Sequence, residues 1–218
     1  MCPLCQAVNI NKAYHEDIRR KFYACDTCHL VFVPPKYFPS AEAEKSAYDH
    51  HQNSPDDQAY RRFLNRLFIP VNERIPPGRH GLDFGSGPGP TLSLMFEEAG
   101  HVVDLFDYFY ANDPSVLQQS YDFITASEVV EHLHQPKHTL EALWEILKPG
   151  GILGIMTKRV LNREAFAKWH YKNDLTHVGF FSASTFHWLA KQWQAQLTVV
   201  GSDVVLFKKQ GLNPGVSQ

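Results

Sequence analysis

Leu82-Asp83-Phe84-Gly85-Ser86-Gly87-Pro88-Gly89-Pro90 is the stretch on which the fold turns. The apolar run His80–Phe84 enters it and an apolar-periodic segment running to Gly100 leaves it, so it reads as strand, tight turn and helix. Glycines in such a turn let the main chain pass close to a bound ligand. A dinucleotide fingerprint G-x-G-x-x-G needs glycine at 90, but Pro90 stands there and the third glycine comes one residue early, at Gly89. No Gly-Lys-Ser/Thr follows, which excludes the triphosphate-cradling loop. What remains, acidic-x-Gly-x-Gly-x-Gly, suits a ligand without a pyrophosphate. Asp107 closes the next strand, 20 residues beyond Gly87, where a carboxylate can accept both hydroxyls of a ribose.

Outward from this turn the signals alternate. Strands are expected at His101–Asp107, Tyr121–Ala126 and Ile152–Thr157, with a helix over about 136–147. A helix Ser184–Trp193 precedes Gln196–Val200, the turn Gly201-Ser202-Asp203 and Val204–Lys208, which read as an antiparallel hairpin at a sheet edge. The expected class is α/β: a Rossmann-like, mostly parallel sheet with helices on both faces and a C-terminal antiparallel hairpin. Upstream, Tyr60, Phe63, Leu64, Leu67 and Phe68 recur at helical spacing in a helix expected to end before Pro70. Residues 34–58, rich in Pro, Ser, Asp and His, read as a linker, and Pro76-Pro77-Gly78 as the turn into the larger unit. The expected organisation is 1–33, a small ribbon; 34–78, linker and amphipathic helix; 79–210, the ligand-binding domain; and 211–218, a tail.

All four cysteines fall in the first 28 positions, as Cys2-x-x-Cys5 and Cys25-x-x-Cys28 with 19 residues between the pairs. Two such turns can aim four thiolates at one centre and complete a closed tetrahedral shell, the mark of structural Zn2+. Disulfides or free thiols are the alternatives, and a reducing compartment disfavours the first. His15 and His29 lie nearby as solvent-facing neighbours. The hairpin between the pairs carries Arg19, Arg20 and Lys21 beside Glu16 and Asp17. It lacks the dense basic face and aromatic series of a nucleic-acid reader.

The 218 residues carry 21 Lys+Arg against 23 Asp+Glu, a formal charge of −2 that offers no basic field to nucleic acid or to an anionic membrane. Hydrophobic residues make up 44%, enough for a packed core and too many for disorder. The opening residues lack a basic-then-apolar leader and no apolar run approaches a membrane span, so a soluble, cytoplasmic protein is expected.

With the glycine turn and Asp107 in place, residues 80–208 resemble the class I S-adenosylmethionine-dependent methyltransferases. Tyr121-Asp122-Phe123-Ile124-Thr125-Ala126-Ser127-Glu128-Val129-Val130-Glu131-His132-Leu133 looks like that family's fourth strand and following loop. Leu147-Lys148-Pro149-Gly150-Gly151-Ile152-Leu153 looks like its helix-to-fifth-strand turn, and the terminal hairpin like its reversed strand. The cysteine segment resembles the zinc-binding N-terminus of some methyltransferase families. The resemblance implies S-adenosylmethionine as co-substrate. Asp83, Gly85, Ser86, Gly87 and Gly89 would then lie at its methionine end, Asp107 at the ribose, and Ser127 and Glu128 at the strand tip. One departure stands out: only 13 residues separate Asp107 from Tyr121, too few for the usual helix and third strand. Tyr108 and Phe109 are the stacking candidates for adenine.

Methyl transfer from a sulfonium is an in-line displacement, and a base is needed where the acceptor must lose a proton. His132, after Glu128-Val129-Val130-Glu131, and His177, in Thr176-His177-Val178-Gly179-Phe180-Phe181-Ser182, are the candidates. Each could equally hydrogen-bond within its own loop. His134 and His138 read as a solvated helix face, and Tyr48, His51 and Asn53 as a lid or a surface turn. Trp169, Tyr171, Phe180, Phe181 and Trp188 form an aromatic region, mostly core. The expected function is methyl transfer to a small or medium acceptor at oxygen or carbon. The alternatives are an RNA or protein methyltransferase that recognises its target through the ribbon, and a non-catalytic nucleoside sensor.

Overall fold

The structure, a computed structural model, describes residues 1–8, 10, 13–50 and 54–211. His51 and Asn53 and nearly all of the expected tail lie outside the described residues. The chain runs β1 (Ala13–Glu16), β2 (Lys21–Ala24), β3 (Val31–Phe32), α1 (Ala41–Tyr48), α2 (Gln58–Asn72), β4 (His80–Phe84), α3 (Thr91–Glu98) and β5 (Val102–Phe106). It continues with β6 (Tyr121–Ser127), α4 (Pro136–Ile146), β7 (Leu147–Met156), α5 (Arg163–Ala167), β8 (Gly179–Phe180), α6 (Ala183–Trp193), β9 (Gln196–Val200) and β10 (Val204–Lys208).

The main sheet has the order β5-β4-β6-β7-β10-β9. The first four strands are parallel; β10 reverses against β7 and β9 against β10, as the two apolar runs joined at Gly201 predict. Alternation along the strands sorts its core into two faces. Leu153, Ile155, Val205 and Phe207 meet α4 and α6 through Leu140, Leu143, Phe186 and Leu189. Ile152, Met156, Val204 and Leu206 meet α2 and α3 through Leu64, Leu67, Val71 and Phe96. Where sheet and ring come closest, at Gly81, a Cβ would lie 2.2 Å from the Phe123 ring. Gly81→Ala should therefore lower stability by about 3 kcal/mol in urea unfolding, the cost of overpacking a core that cannot give way. An unchanged midpoint would show that Phe123 can swing aside.

The structure revises the expectations for α2 and for residues 34–58, and bears out the missing strand after Asp107. Helix α2 runs through Pro70 to Asn72. Leu64, Leu67 and Val71 keep one buried stripe across the proline, and burying Val71 offsets the one hydrogen bond the ring removes near the helix end. Residues 34–58 hold α1, capped by Ser40, in place of an extended linker. Gly150 takes the left-handed conformation, at φ +81°, inside β7, and the cap of α4 is the extended Leu147. The 13-residue segment after Asp107 forms a 3-10 turn, Pro114–Gln118, where a further strand would pair, pinned by the Tyr121 hydroxyl donating to the Val116 carbonyl at 2.7 Å.

The cysteine segment forms a second, antiparallel sheet, β1-β2-β3-β8, whose last strand comes from the C-terminal third of the chain. Cys2, Leu4, Cys25, Cys28 and Leu30 share one core with Leu140, Phe181 and Phe186. Phe22, Val31 and Val33 share another with Phe166, Tyr171 and Phe180. The ribbon is thus fastened to the domain along its length. Among the described residues no helix is long and apolar enough to cross a membrane.

Candidate active site

A cavity of about 1090 Å³ opens at the carboxyl ends of β4, β5 and β6, where open parallel sheets place their ligands. That volume is at the upper end for one small ligand, so it has room for a nucleoside co-substrate and an acceptor. Its floor is the glycine turn. Gly85 and Gly87 take φ +75° and +66°, values that a side chain resists. A Cβ on Gly85 would meet Val129 Cγ2 at 2.4 Å, whereas one on Gly87 would meet nothing within 4 Å, so the Gly87 backbone faces open cavity. Ser86 lines the wall with its hydroxyl buried and unpartnered, a donor placed for a ligand.

Asp107 sits opposite. Its Oδ2 accepts from Gly87 N at 2.9 Å, and its Oδ1 from Phe109 N at 2.8 Å and Tyr110 N at 3.1 Å. The carboxylate therefore ties the glycine turn to the loop after β5 while lining the cavity with lone pairs to spare. Tyr108 and Phe109 line the cavity beside it, Tyr108 at the exposed rim. Asp83 and Gly89 do not reach the wall. Asp83 lies behind the glycine turn and accepts the Thr125 hydroxyl at 2.9 Å. Burial, with Asp107 adding to it, pushes its carboxyl up to about 6. A carboxyl raised in the folded state holds a proton that the unfolded chain releases, so its contribution to stability falls as pH rises from about 4 to 6 and is flat above. Asp83→Asn should lack this slope, so its stability relative to wild type should improve by on the order of 2 kcal/mol between pH 4 and 7. Parallel pH profiles of the two proteins would refute the assignment.

The opposite end of the cavity is built from the β6 tip. Ser127 and Glu128 line it, with Glu128 held at φ +54°, a strained value for a carboxylate-bearing residue. Its Oε1 is buried without a hydrogen-bond partner, and burial followed by Glu131 pushes the carboxyl up to about 8. Glu131 is fully buried. The Tyr171 hydroxyl donates to its Oε1, its Oε2 is unpartnered, and burial pushes it up to about 7. His132 and His177 meet edge to face with ring centroids 4.7 Å apart. Each has Nδ1 on a main-chain carbonyl, His132 on Thr176 at 3.2 Å and His177 on Tyr171 at 2.8 Å, which assigns the proton to Nδ1 and a lone pair to Nε2. Burial, then His132, pulls His177 down to about 3, so it stays neutral. Glu131, His132 and His177 offer three ligand atoms within 4.8 Å of one another. Such a cluster can take a proton from a hydroxyl or hold a divalent cation.

Helix α1 roofs the cavity through Ala41, Glu44 and Tyr48. His134 reaches it at Glu44, 2.7 Å, while stacking on Phe38, and the Tyr110 hydroxyl donates to Asp49 at 2.6 Å. His134 thus precedes α4 and latches the roof, where a solvated helix face was expected. Glu131, Tyr171 and Asp174 escaped the sequence reading as site residues. The one signal for Glu131 was a carboxylate flanked by Val129, Val130 and Leu133, a charge where the pattern is apolar.

The four cysteines converge as their spacing predicts. Cys2 and Cys28 sulfurs lie 3.5 Å apart and Cys5 and Cys25 sulfurs 3.4 Å, all four within 4.8 Å. The edge of a tetrahedron with metal–sulfur bonds of 2.3 Å is about 3.8 Å, so the set fits Zn2+ and none is a disulfide. The two turns match: the residue after each second cysteine, Gln6 and His29, takes φ +61° and +59°. His29 is exposed, as expected.

Comparison with known proteins places this geometry. Residues 48–200 match the model of a family described as "Methyltransferase domain". A stretch of 75 residues is 36% identical to a ubiquinone biosynthesis O-methyltransferase of Saccharophagus degradans, covering 33% of this chain and 30% of that protein. Another of 87 residues is 31% identical to a protein of the same name from Pectobacterium atrosepticum, covering 40% and 35%. The chain thus spans about a third of the length of the curated relatives it matches. Among solved structures, a 1,6-didemethyltoxoflavin-N1-methyltransferase of Burkholderia thailandensis with bound S-adenosylhomocysteine aligns at TM-score 0.53 and 14% identity, over 92% of this chain and all of that one. A SAM-dependent methyltransferase of Archaeoglobus fulgidus aligns at 0.54 and 14%, over 76% and 99%. From the family match over residues 48–200, the chain belongs to the methyltransferase-domain family, and it shares the fold of S-adenosylmethionine-dependent methyltransferases.

Proposed function

We propose that this enzyme transfers the methyl group to the oxygen of a small, uncharged or cationic hydroxyl compound bound between the roof helix α1 and the Glu131–His132–His177 cluster. The observation that carries the reading is the charge of the cavity. Its lining includes the acidic side chains Glu44, Asp107 and Asp174, with Glu128 and Glu131 held largely protonated by burial, and among the described residues that line it none is Lys or Arg. An anionic acceptor such as nucleic acid would meet repulsion there, while a phenol meets aromatic walls and proton acceptors. The partial likeness to ubiquinone biosynthesis O-methyltransferases supports oxygen over carbon. The cysteine-bearing sheet, with its mixed charges, gives the RNA and protein alternatives no comparable support.

In the proposed reaction Asp107, Ser86 and the glycine turn hold the co-substrate, and Nε2 of His132 or His177 takes the acceptor's proton. The oxygen then attacks the methyl carbon in line as the carbon–sulfur bond breaks, releasing S-adenosylhomocysteine. An imidazolium formed on His177 would face the Asp174 carboxylate, whose Oδ2 lies 3.8 Å from Nε2. Glu131, His132 and His177 would also be able to hold a divalent cation, which would supply Lewis-acid activation of the acceptor hydroxyl. We assign Zn2+ to the cysteine set in a structural role, and a reducing, cytoplasmic setting on the four unbridged thiols.

Labelled methyl transfer to a panel of catechols, phenols and amines, with tRNA and a peptide library as comparisons, tests the substrate class. The panel phenols should be methylated and the polymers not. Methylation of tRNA or peptide alone would overturn the reading, and loss of transfer on EDTA treatment, restored by Mg2+, would select the cation route.

A further inference from the structure

One guanidinium joins the cysteine-bearing sheet to the loop that carries His177. Arg20, at the turn between β1 and β2, is 2% exposed. Its Nη1 donates to the carbonyls of Leu175 at 3.1 Å and His177 at 2.9 Å, and its Nη2 donates to those of Lys172 and Asp174. Four carbonyls from six consecutive residues thus converge on one cation. A carbonyl withdrawn from water and left without a donor is costly, so the loop holds this shape while the guanidinium stands inside it. Asp17 in turn fixes Arg20, accepting its main-chain N–H at 2.9 Å, and faces Lys172 Nζ at 3.6 Å. On its other side the same loop meets the cavity. Thr176 presents its carbonyl to His132, Val178 N donates to the Glu131 carbonyl at 2.8 Å, and Asp174 and His177 line the wall.

We propose that Arg20 is a positioning residue for methyl transfer: it shapes residues 172–177 so that Asp174 and His177 face the acceptor, making the cysteine-bearing sheet a working wall of the acceptor site. Arg20 touches no cofactor residue, so its effect falls on acceptor chemistry alone. The proposal rests on the reading of His132 and His177 as the acceptor cluster.

The test compares full-length, zinc-loaded wild type with Arg20→Gln, Arg20→Lys and Arg20→Ala. S-adenosylhomocysteine affinity by calorimetry and zinc content should be unchanged. Long-range proton–nitrogen spectra should show His177 as a single Nδ1–H tautomer in wild type and as a mixture in Arg20→Gln, with faster amide exchange over 174–178. Labelled methyl transfer to catechol should fall about tenfold or more, since small misplacements of reacting groups cost that much. Lysine should fail to restore it, because one ammonium cannot span four carbonyls, while guanidinium ion added to Arg20→Ala should restore part of the rate. A folded Arg20→Gln protein with the wild-type tautomer and loop exchange overturns the proposal, and Arg20→Lys, which keeps the buried charge, is read the same way should the glutamine variant not fold. If wild type does not methylate catechol, that counts against the acceptor reading, and the tautomer and exchange data still decide on Arg20.

Discussion

Asp107→Ala is expected to weaken S-adenosylhomocysteine binding about a hundredfold or more, as two charge-assisted hydrogen bonds to a ribose contribute roughly 1.5–3 kcal/mol each. The substitution does more than remove a ligand contact. Gly87, Phe109 and Tyr110 each donate a main-chain N–H to this carboxylate, so its loss also frees the glycine turn from the loop after β5. Asp107→Asn separates the two effects. One amide oxygen can still accept from the loops, but the amide cannot accept from two ribose hydroxyls and all three N–H groups, so an intermediate loss of about tenfold is expected. Calorimetry on both variants checks this, and an alanine variant that binds within threefold of wild type would remove Asp107 from the ribose site.

Cys25→Ser should have the largest effect on stability. Structural zinc contributes on the order of 10 kcal/mol or more of apparent binding free energy to a small metal-organised fold. Here the loss reaches further, because Cys25 and Cys28 share a core with Leu30, Leu140, Phe181 and Phe186. We expect zinc to fall from one equivalent to none and Tm to drop by about 10 °C or more, at roughly 2–4 °C per kcal/mol for a chain of this size. Wild type purified without zinc, or melting unchanged in Cys25→Ser, would reverse this assignment. Asp26→Ser, on the exposed tip of the same turn, is the control expected to leave both unchanged.

The sequence makes some of this legible and hides the rest for identifiable reasons. Strand–turn–helix at Leu82–Pro90 and the closing hairpin are local patterns, and local patterns survive into the structure. The convergence of Cys2, Cys5, Cys25 and Cys28 was readable because each Cys-x-x-Cys turn brings its two thiols to one side. Pro70 misled because its local cost is visible in the sequence and the tertiary burial of Val71 is not. The roof helix α1 was hidden for the same reason: its partners, His134 and Tyr110, lie far along the chain. Arg20 sat in plain view as one basic residue among three, and its role depends on a loop more than 150 residues away.

The two-residue strand β8 has a consequence for biosynthesis. It supplies the final edge partner of β3, so the sheet that begins the chain cannot close until residue 180 has been made. At about 5–20 residues per second, a ribosome needs roughly 8–30 s to make the chain between them. During that interval Phe22, Val31 and Val33 have no partner face. Metal capture by the nascent thiols would hold those strands in register until the partner emerges, so a metal-starved cell should lose this protein to aggregation during synthesis more than afterwards.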